Sequence, residues 1–70
     1  MAFYEVLVQR PRGEPRAGVR VHLAGDDERA EGETDDDGRV VLEIHARVAE
    51  LYVGGRREGI VRPGTLLVTR

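Results

Sequence analysis

The sequence predicts an all-β fold: a small antiparallel β-sandwich of six or seven strands. Three observations carry the prediction. Short runs of alternating apolar and polar residues recur from one end of the chain to the other. Turn signals rich in Gly, Pro and Asp separate these runs at intervals of about 8–12 residues, the spacing of sandwich and barrel folds. The chain has 70 residues, enough for a single domain over 1–70, and no linker, internal repeat or low-complexity tract divides it.

Ala2 to Gln9 is β-branched and aromatic and free of Gly and Pro, which predicts the first strand. With Glu5 facing water, Tyr4, Val6 and Val8 face the core, and Phe3 and Leu7 fall on the outer face; the alternative is that this assignment is inverted, or that both faces are buried. Residues 10–18 hold two prolines and two glycines with three arginines and read as a rigid loop. Val19-Arg20-Val21-His22-Leu23 alternates again, with the valines and Leu23 inward. Gly25 to Gly32 reads as an acidic loop, and Glu33-Thr34 can supply only a short strand. Asp35-Asp36-Asp37-Gly38 is a tight-turn signal, because Asp caps its own backbone and Gly accepts positive φ. Arg39 to Ile44 follows as a strand with Val40, Leu42 and Ile44 on the core side and Val41 on the other.

Residues 43–52 fit a helical template through Ile44, Val48, Leu51 and Tyr52, yet no N-cap residue precedes them. Leu51-Tyr52-Val53 ends at Gly54-Gly55 like a strand entering a hairpin. A strand over 48–53, with or without one preceding helical turn, is the expectation. Arg56 to Val61 reads as a strand poor in apolar residues, Pro63-Gly64 as a turn, and Thr65 to Thr69 as the last strand.

Composition narrows the function classes. The chain has no Cys, so disulfides and thiolate metal sites are excluded. A domain of this size buries only about 60% of its unfolded surface, so stability from a partner or from self-association is expected. The formal net charge is −2, with Lys+Arg 11 against Asp+Glu 13, a balance that argues against a nucleic-acid binder. Every basic residue but the histidines is Arg, and Lys, Asn and Ser are absent, a bias that fits a thermostable protein. No apolar run approaches the roughly 20 residues that span a bilayer. The chain enters a strand pattern at Met1-Ala2-Phe3 with no signal-peptide pattern, so the expected location is the cytoplasm or a larger particle.

Three segments together resemble the prealbumin-like β-sandwiches, in particular the carboxypeptidase regulatory-like and Cna-B-like domains. They are Gly18-Val19-Arg20-Val21-His22-Leu23 after a Pro- and Gly-rich loop, Thr34-Asp35-Asp36-Asp37-Gly38-Arg39-Val40 entering a strand, and Arg62-Pro63-Gly64-Thr65 before the last strand. The resemblance implies architecture: such domains serve as spacers, adhesion modules and docking partners. The Lys–Asn isopeptide bond of many Cna-B-like domains cannot form here, since both residue types are absent.

Candidate sites are few. Glu33-x-Asp35-x-Asp37-Gly38 resembles the start of a calcium loop, but its twelfth position is Ile44 where a bidentate Glu is required. A calcium site would therefore need Asp26 and Asp27, with Glu28, to meet Glu33, Asp35 and Asp37 in space; otherwise Asp35, Asp37 and Gly38, like Pro63 and Gly64, serve only to turn the chain. His22 and His45 are the only imidazoles, and nothing in their spacing pairs them. Nucleophilic hydrolysis has little raw material, as the hydroxyls are Thr34, Thr65, Thr69 and the two tyrosines. Arg10, Arg12, Arg16, Arg56 and Arg57 would form a basic cluster if their loops converged, but no aromatic platform accompanies them. The outer-face apolar residues Phe3, Leu7, Val41, Val48, Tyr52 and Leu67 are the expected interface, and strand edges offer a second route by β-augmentation. The expected function is a non-enzymatic, cofactor-free structural or protein-interaction subunit, such as a virion or tail component or an accessory subunit. It would dock on other protein subunits or self-associate. A calcium- or ligand-binding module using loops 26–28 and 33–37 is the alternative.

Overall fold

The computed structural model describes residues 1–70 as seven strands with no helix: β1 (Ala2–Gln9), β2 (Arg20–Ala24), β3 (Arg29–Glu33), β4 (Arg39–Ile44), β5 (Ala49–Val53), β6 (Arg56–Val61) and β7 (Gly64–Thr69). Two sheets face each other, one ordered β4-β1-β7 and the other β3-β2-β5-β6. No helix is present that could cross a membrane.

Alternation builds the core. Tyr4, Val6 and Val8 of β1 point inward and are buried, as are Val21 and Leu23 of β2, Leu42 and Ile44 of β4, Leu51 and Val53 of β5, and Val68 of β7. The assignment of β1 made from its sequence therefore stands, with Phe3 and Leu7 outward. Val19, Val40, Val61 and Leu66 pack around this cluster half-buried.

Four expectations need correction. The segment read as an acidic loop over 25–32 forms β3 from Arg29 onward, paired antiparallel with β2. Its inward residues are only Ala30 and Gly32, so the strand carries no apolar alternation by which it could be seen. Residues 45–48 form bends with no helical turn, and β5 starts at Ala49. The turn expected at Pro63-Gly64 is a bend at Pro63 alone: Gly64, at φ +127, is already the first residue of β7, and the bend carries the chain from one sheet to the other. Finally, β1 and β7 run parallel, Tyr4 opposite Gly64 through Gln9 opposite Thr69, whereas every other ladder is antiparallel.

The turns have identifiable causes. Gly54 and Gly55, at φ +61 and +83, form the two-residue loop of the β5–β6 hairpin, where both central positions need positive φ. At the β3–β4 crossing, the Asp35 carboxylate accepts the N–H of Asp37 (2.8 Å) and of Arg39 (3.1 Å), while Gly38 N–H donates to Asp35 C=O at 2.9 Å. Asp37 presents only its backbone to this turn. Gly38 C=O then accepts from Val8 N–H at 2.7 Å, which ties the turn to the end of β1.

Candidate functional site

On the outer face of the β4-β1-β7 sheet the register places Val41 opposite Glu5 and Glu5 opposite Thr65, and Arg39 opposite Leu7 and Leu7 opposite Leu67. Phe3, opposite Glu43, completes the face. Phe3, Val41 and Leu67 are 57%, 42% and 61% exposed, and Leu7 is half-buried beside Leu67. The four apolar side chains surround one polar group. Glu5 Oε1 accepts from the Thr65 hydroxyl at 2.8 Å, and Glu5 Oε2 accepts from Arg39 Nε. The Arg39 hydrogen bond, and after it that of Thr65, holds the Glu5 carboxyl below its ordinary value; the same partnership raises Arg39. Glu5, Arg39 and Thr65 are thus hydrogen-bonded to one another among the four apolar side chains, with Glu43 beside Phe3 at the edge of the face.

The expected interface set is not one surface. Phe3, Leu7, Val41 and Leu67 gather as described, but Tyr52 lies on the outside of the other sheet and Val48 in the bend before β5. Tyr52 stacks edge-on against His22, with ring centroids 5.7 Å apart, and Arg57 stands opposite it. Val48 borders a shallow depression with Ala24, Glu50 and Ile60.

The calcium arrangement requires the two acidic loops to meet. They sit at opposite ends of β3, a five-residue strand roughly 17 Å long, and no group of three or more His, Asp or Glu side chains converges anywhere. Asp26 and Asp27 do line an open depression of about 460 Å³ with Glu28, His45 and Ala46. The oxygens of Glu28 are already engaged there. Oε1 accepts from His45 N–H and Oε2 from Ala46 N–H, both at 2.8 Å. These bonds, that of His45 foremost, hold the Glu28 carboxyl below its ordinary value. At the same residue, Ala46 C=O accepts from the buried Tyr4 hydroxyl at 2.6 Å, and burial raises the tyrosine's pKa. Glu28 and Tyr4 together build the β4–β5 crossing.

His45 lies 3.3 Å from Glu28 and His22 lies 3.9 Å from Glu31, on separate parts of the surface. Of the arginines, Arg56 and Arg57 join Arg70 around a depression of about 270 Å³, with Glu58 and Thr69. Arg57 is bound to Glu50 at 2.7 Å and Arg70 to Glu58. Arg16 reaches only the Arg70 carbonyl, at 3.4 Å, so the 10–16 loop does not complete a basic cluster.

One residue escaped the sequence reading. Thr34 is buried, its hydroxyl donates to Arg16 C=O at 2.5 Å and accepts from Val19 N–H at 3.0 Å, and its backbone bonds Gly18 and Val19. It clamps the 10–18 loop to the crossing turn. A Thr just before an Asx turn was the available signal, but the partners of its hydroxyl lie 15 and 18 residues away along the chain.

The chain matches no known protein family, no curated protein and no solved structure.

Proposed function

We propose that the chain is a structural or protein-interaction subunit, without a reaction of its own, that docks on a larger assembly through the outer face of the β4-β1-β7 sheet. The observation that carries this reading is the convergence of Phe3, Leu7, Val41 and Leu67 around Glu5, Arg39 and Thr65. Apolar groups gathered on one exposed face mark interaction sites more often than scattered ones do. The polar centre supports the same reading. Covering a carboxylate normally leaves unmet hydrogen bonds, whereas both oxygens of Glu5 already accept, one from Thr65 and one from Arg39. The resemblance to prealbumin-like docking domains and the small core, which gains from association, agree with it. The proposed setting is the cytoplasm or a larger particle, and the proposed partners are proteins, not nucleic acid or membrane.

The test is a photo-crosslinker placed in turn at Leu67 and at Arg20, on opposite outer faces, in extract of the source cells. A discrete adduct from position 67 is expected, lost on adding Phe3→Glu and Leu7→Glu while the melting temperature is kept. Adducts from position 20 alone, or none from either, would overturn the proposal.

A further inference from the structure

The two sheets have four edge strands, and three of them are defended. β3 carries Arg29, Glu31 and Glu33, and it packs beside β4, which carries Arg39 and Glu43. β6 carries Arg56, Arg57 and Glu58, and its ladder with β5 is broken by a bulge between Leu51 and Tyr52. Charges and bulges of this kind are what keep exposed edges from pairing. β7 reads Gly64-Thr65-Leu66-Leu67-Val68-Thr69, without a charge, and pairs with β1 on one side only.

The phase of its free side follows from one hydrogen bond. Arg70 N–H donates to Gln9 C=O at 2.8 Å, so it points toward β1. Backbone groups alternate sides along a strand, so Thr65, Leu67 and Thr69 direct their N–H and C=O away from β1. The strand is also close to a palindrome about Leu67: Thr65 mirrors Thr69, and Leu66 mirrors Val68.

We infer that β7 is the interface for a second copy of this chain, paired antiparallel to itself about a two-fold axis at Leu67. This inference rests on the reading of the chain as an interaction subunit and names the partner for one of its surfaces. In that register Leu67 faces Leu67 of the second copy, Thr65 faces Thr69 and Thr69 faces Thr65. These are the residues whose backbone groups are free, so each pair exchanges both N–H···O bonds. On the outer face the pairs are Thr–Thr, a combination that stabilises cross-strand contacts, and Leu–Leu, which removes apolar surface from water. On the inner face the half-buried Leu66 gains Val68 of the second copy as neighbour. A two-fold axis demands such self-complementarity, because the same patch serves both subunits. The product is one six-stranded sheet, β4-β1-β7 joined to its copy, which doubles the apolar outer face.

Sedimentation velocity of the full chain from micromolar to millimolar concentration tests this. The expected result is a reversible dimer of twice 7.8 kDa. Thr69→Pro removes an outward N–H without touching the apolar face or a β1 bond and should abolish the dimer at unchanged melting temperature. Leu67→Lys, which sets two like charges opposite each other, is the second variant should Thr69→Pro fail to fold, and it too should give monomer. Phe3→Glu should leave the dimer intact. Loss of the dimer with Phe3→Glu but not with Thr69→Pro or Leu67→Lys would overturn the edge pairing while sparing the docking face. A monomer at every concentration would also overturn it, again leaving the crosslinking test of the face to stand by itself.

Discussion

The turn at Asp35–Gly38 shows how much one residue decides. Gly38 is buried at φ +74, and a Cβ added there would stand 2.4 Å from Val8 O and 3.1 Å from Arg16 N. Both neighbours are backbone, so neither can rotate away. The left-handed conformation costs a side chain about 1–2 kcal/mol. Gly38→Val adds a clash that separates β1 from the crossing turn, so the total should exceed about 3 kcal/mol, a fall in melting temperature of roughly 12 °C or more. Gly55, at φ +83 with nothing within 4 Å, is the control: Gly55→Val should cost only the backbone part. Equal losses at the two sites would refute the close approach. Glu28 gives a second prediction at this scale. Its folded pKa lies below the ordinary 4.5, because the carboxylate accepts from the His45 and Ala46 N–H groups. A depressed folded value means stability that is complete above the unfolded pKa and is lost as pH falls through the folded one. Glu28→Gln should therefore melt below the wild type at pH 7, and the gap should narrow as pH drops below about 4. A gap of constant size down to strong acid would show that the ionised carboxylate is not what holds the β4–β5 crossing. Glu5 shares the sign through Arg39 and Thr65, so Glu5→Gln should follow the same course.

Among the elements, legibility tracks apolar alternation. β1, β4 and β6 were readable to the residue because polar and apolar positions alternate or Gly and Pro bound them closely. The in/out phase of β1, and with it the exposure of Phe3 and Leu7, followed from Glu5 alone. β3 was hidden, since a strand whose inward residues are Ala30 and Gly32 between charged neighbours looks like a loop. It is a strand by its ladder with β2, and its glycine answers to β4: a Cβ at Gly32 would meet Val40 Cγ2 at 3.0 Å and Leu42 Cδ2 at 3.4 Å. Glycine lets the two edge strands close on each other where the sheets meet. The apolar outer face of the β4-β1-β7 sheet was half legible for a similar reason. Phe3, Leu7, Val41 and Leu67 could be placed outward by period, but separating them from Val48 and Tyr52 needed the sheet to which each strand belongs, and that is a non-local fact. Gly32→Val should overpack this seam at a cost of about 1–3 kcal/mol, seen as a lower denaturation midpoint with unchanged slope. An unchanged midpoint would mean that β3 can move off β4 freely and that the seam is loose.

For the whole molecule, the decisive pairing is between the two ends of the chain. β1 is the middle strand of its sheet, and β7 covers one side of it at a constant offset, residue 4 against 64 through 9 against 69. Nothing in local sequence could disclose a parallel pair so far apart. The chain has to close a loop spanning most of its length before those contacts form, and entropy of closure makes such topologies fold in milliseconds to seconds rather than microseconds. The same pairing should make the fold all-or-none. Removing Gly64 to Arg70 takes away Val68 from the core and the cover over one edge of β1, and it also removes Arg70, the partner of Glu58 on β6. A domain this small holds only a narrow margin of stability. A chain ending at Pro63 should therefore show no cooperative thermal transition and no protected amides in β1, because the β3-β2-β5-β6 sheet would then pack its apolar face against only two strands, β4 and β1. A cooperative transition in that truncated chain, with β1 amides protected, would show that β4 and the second sheet suffice, and that β7 is an appended strand rather than the closing one.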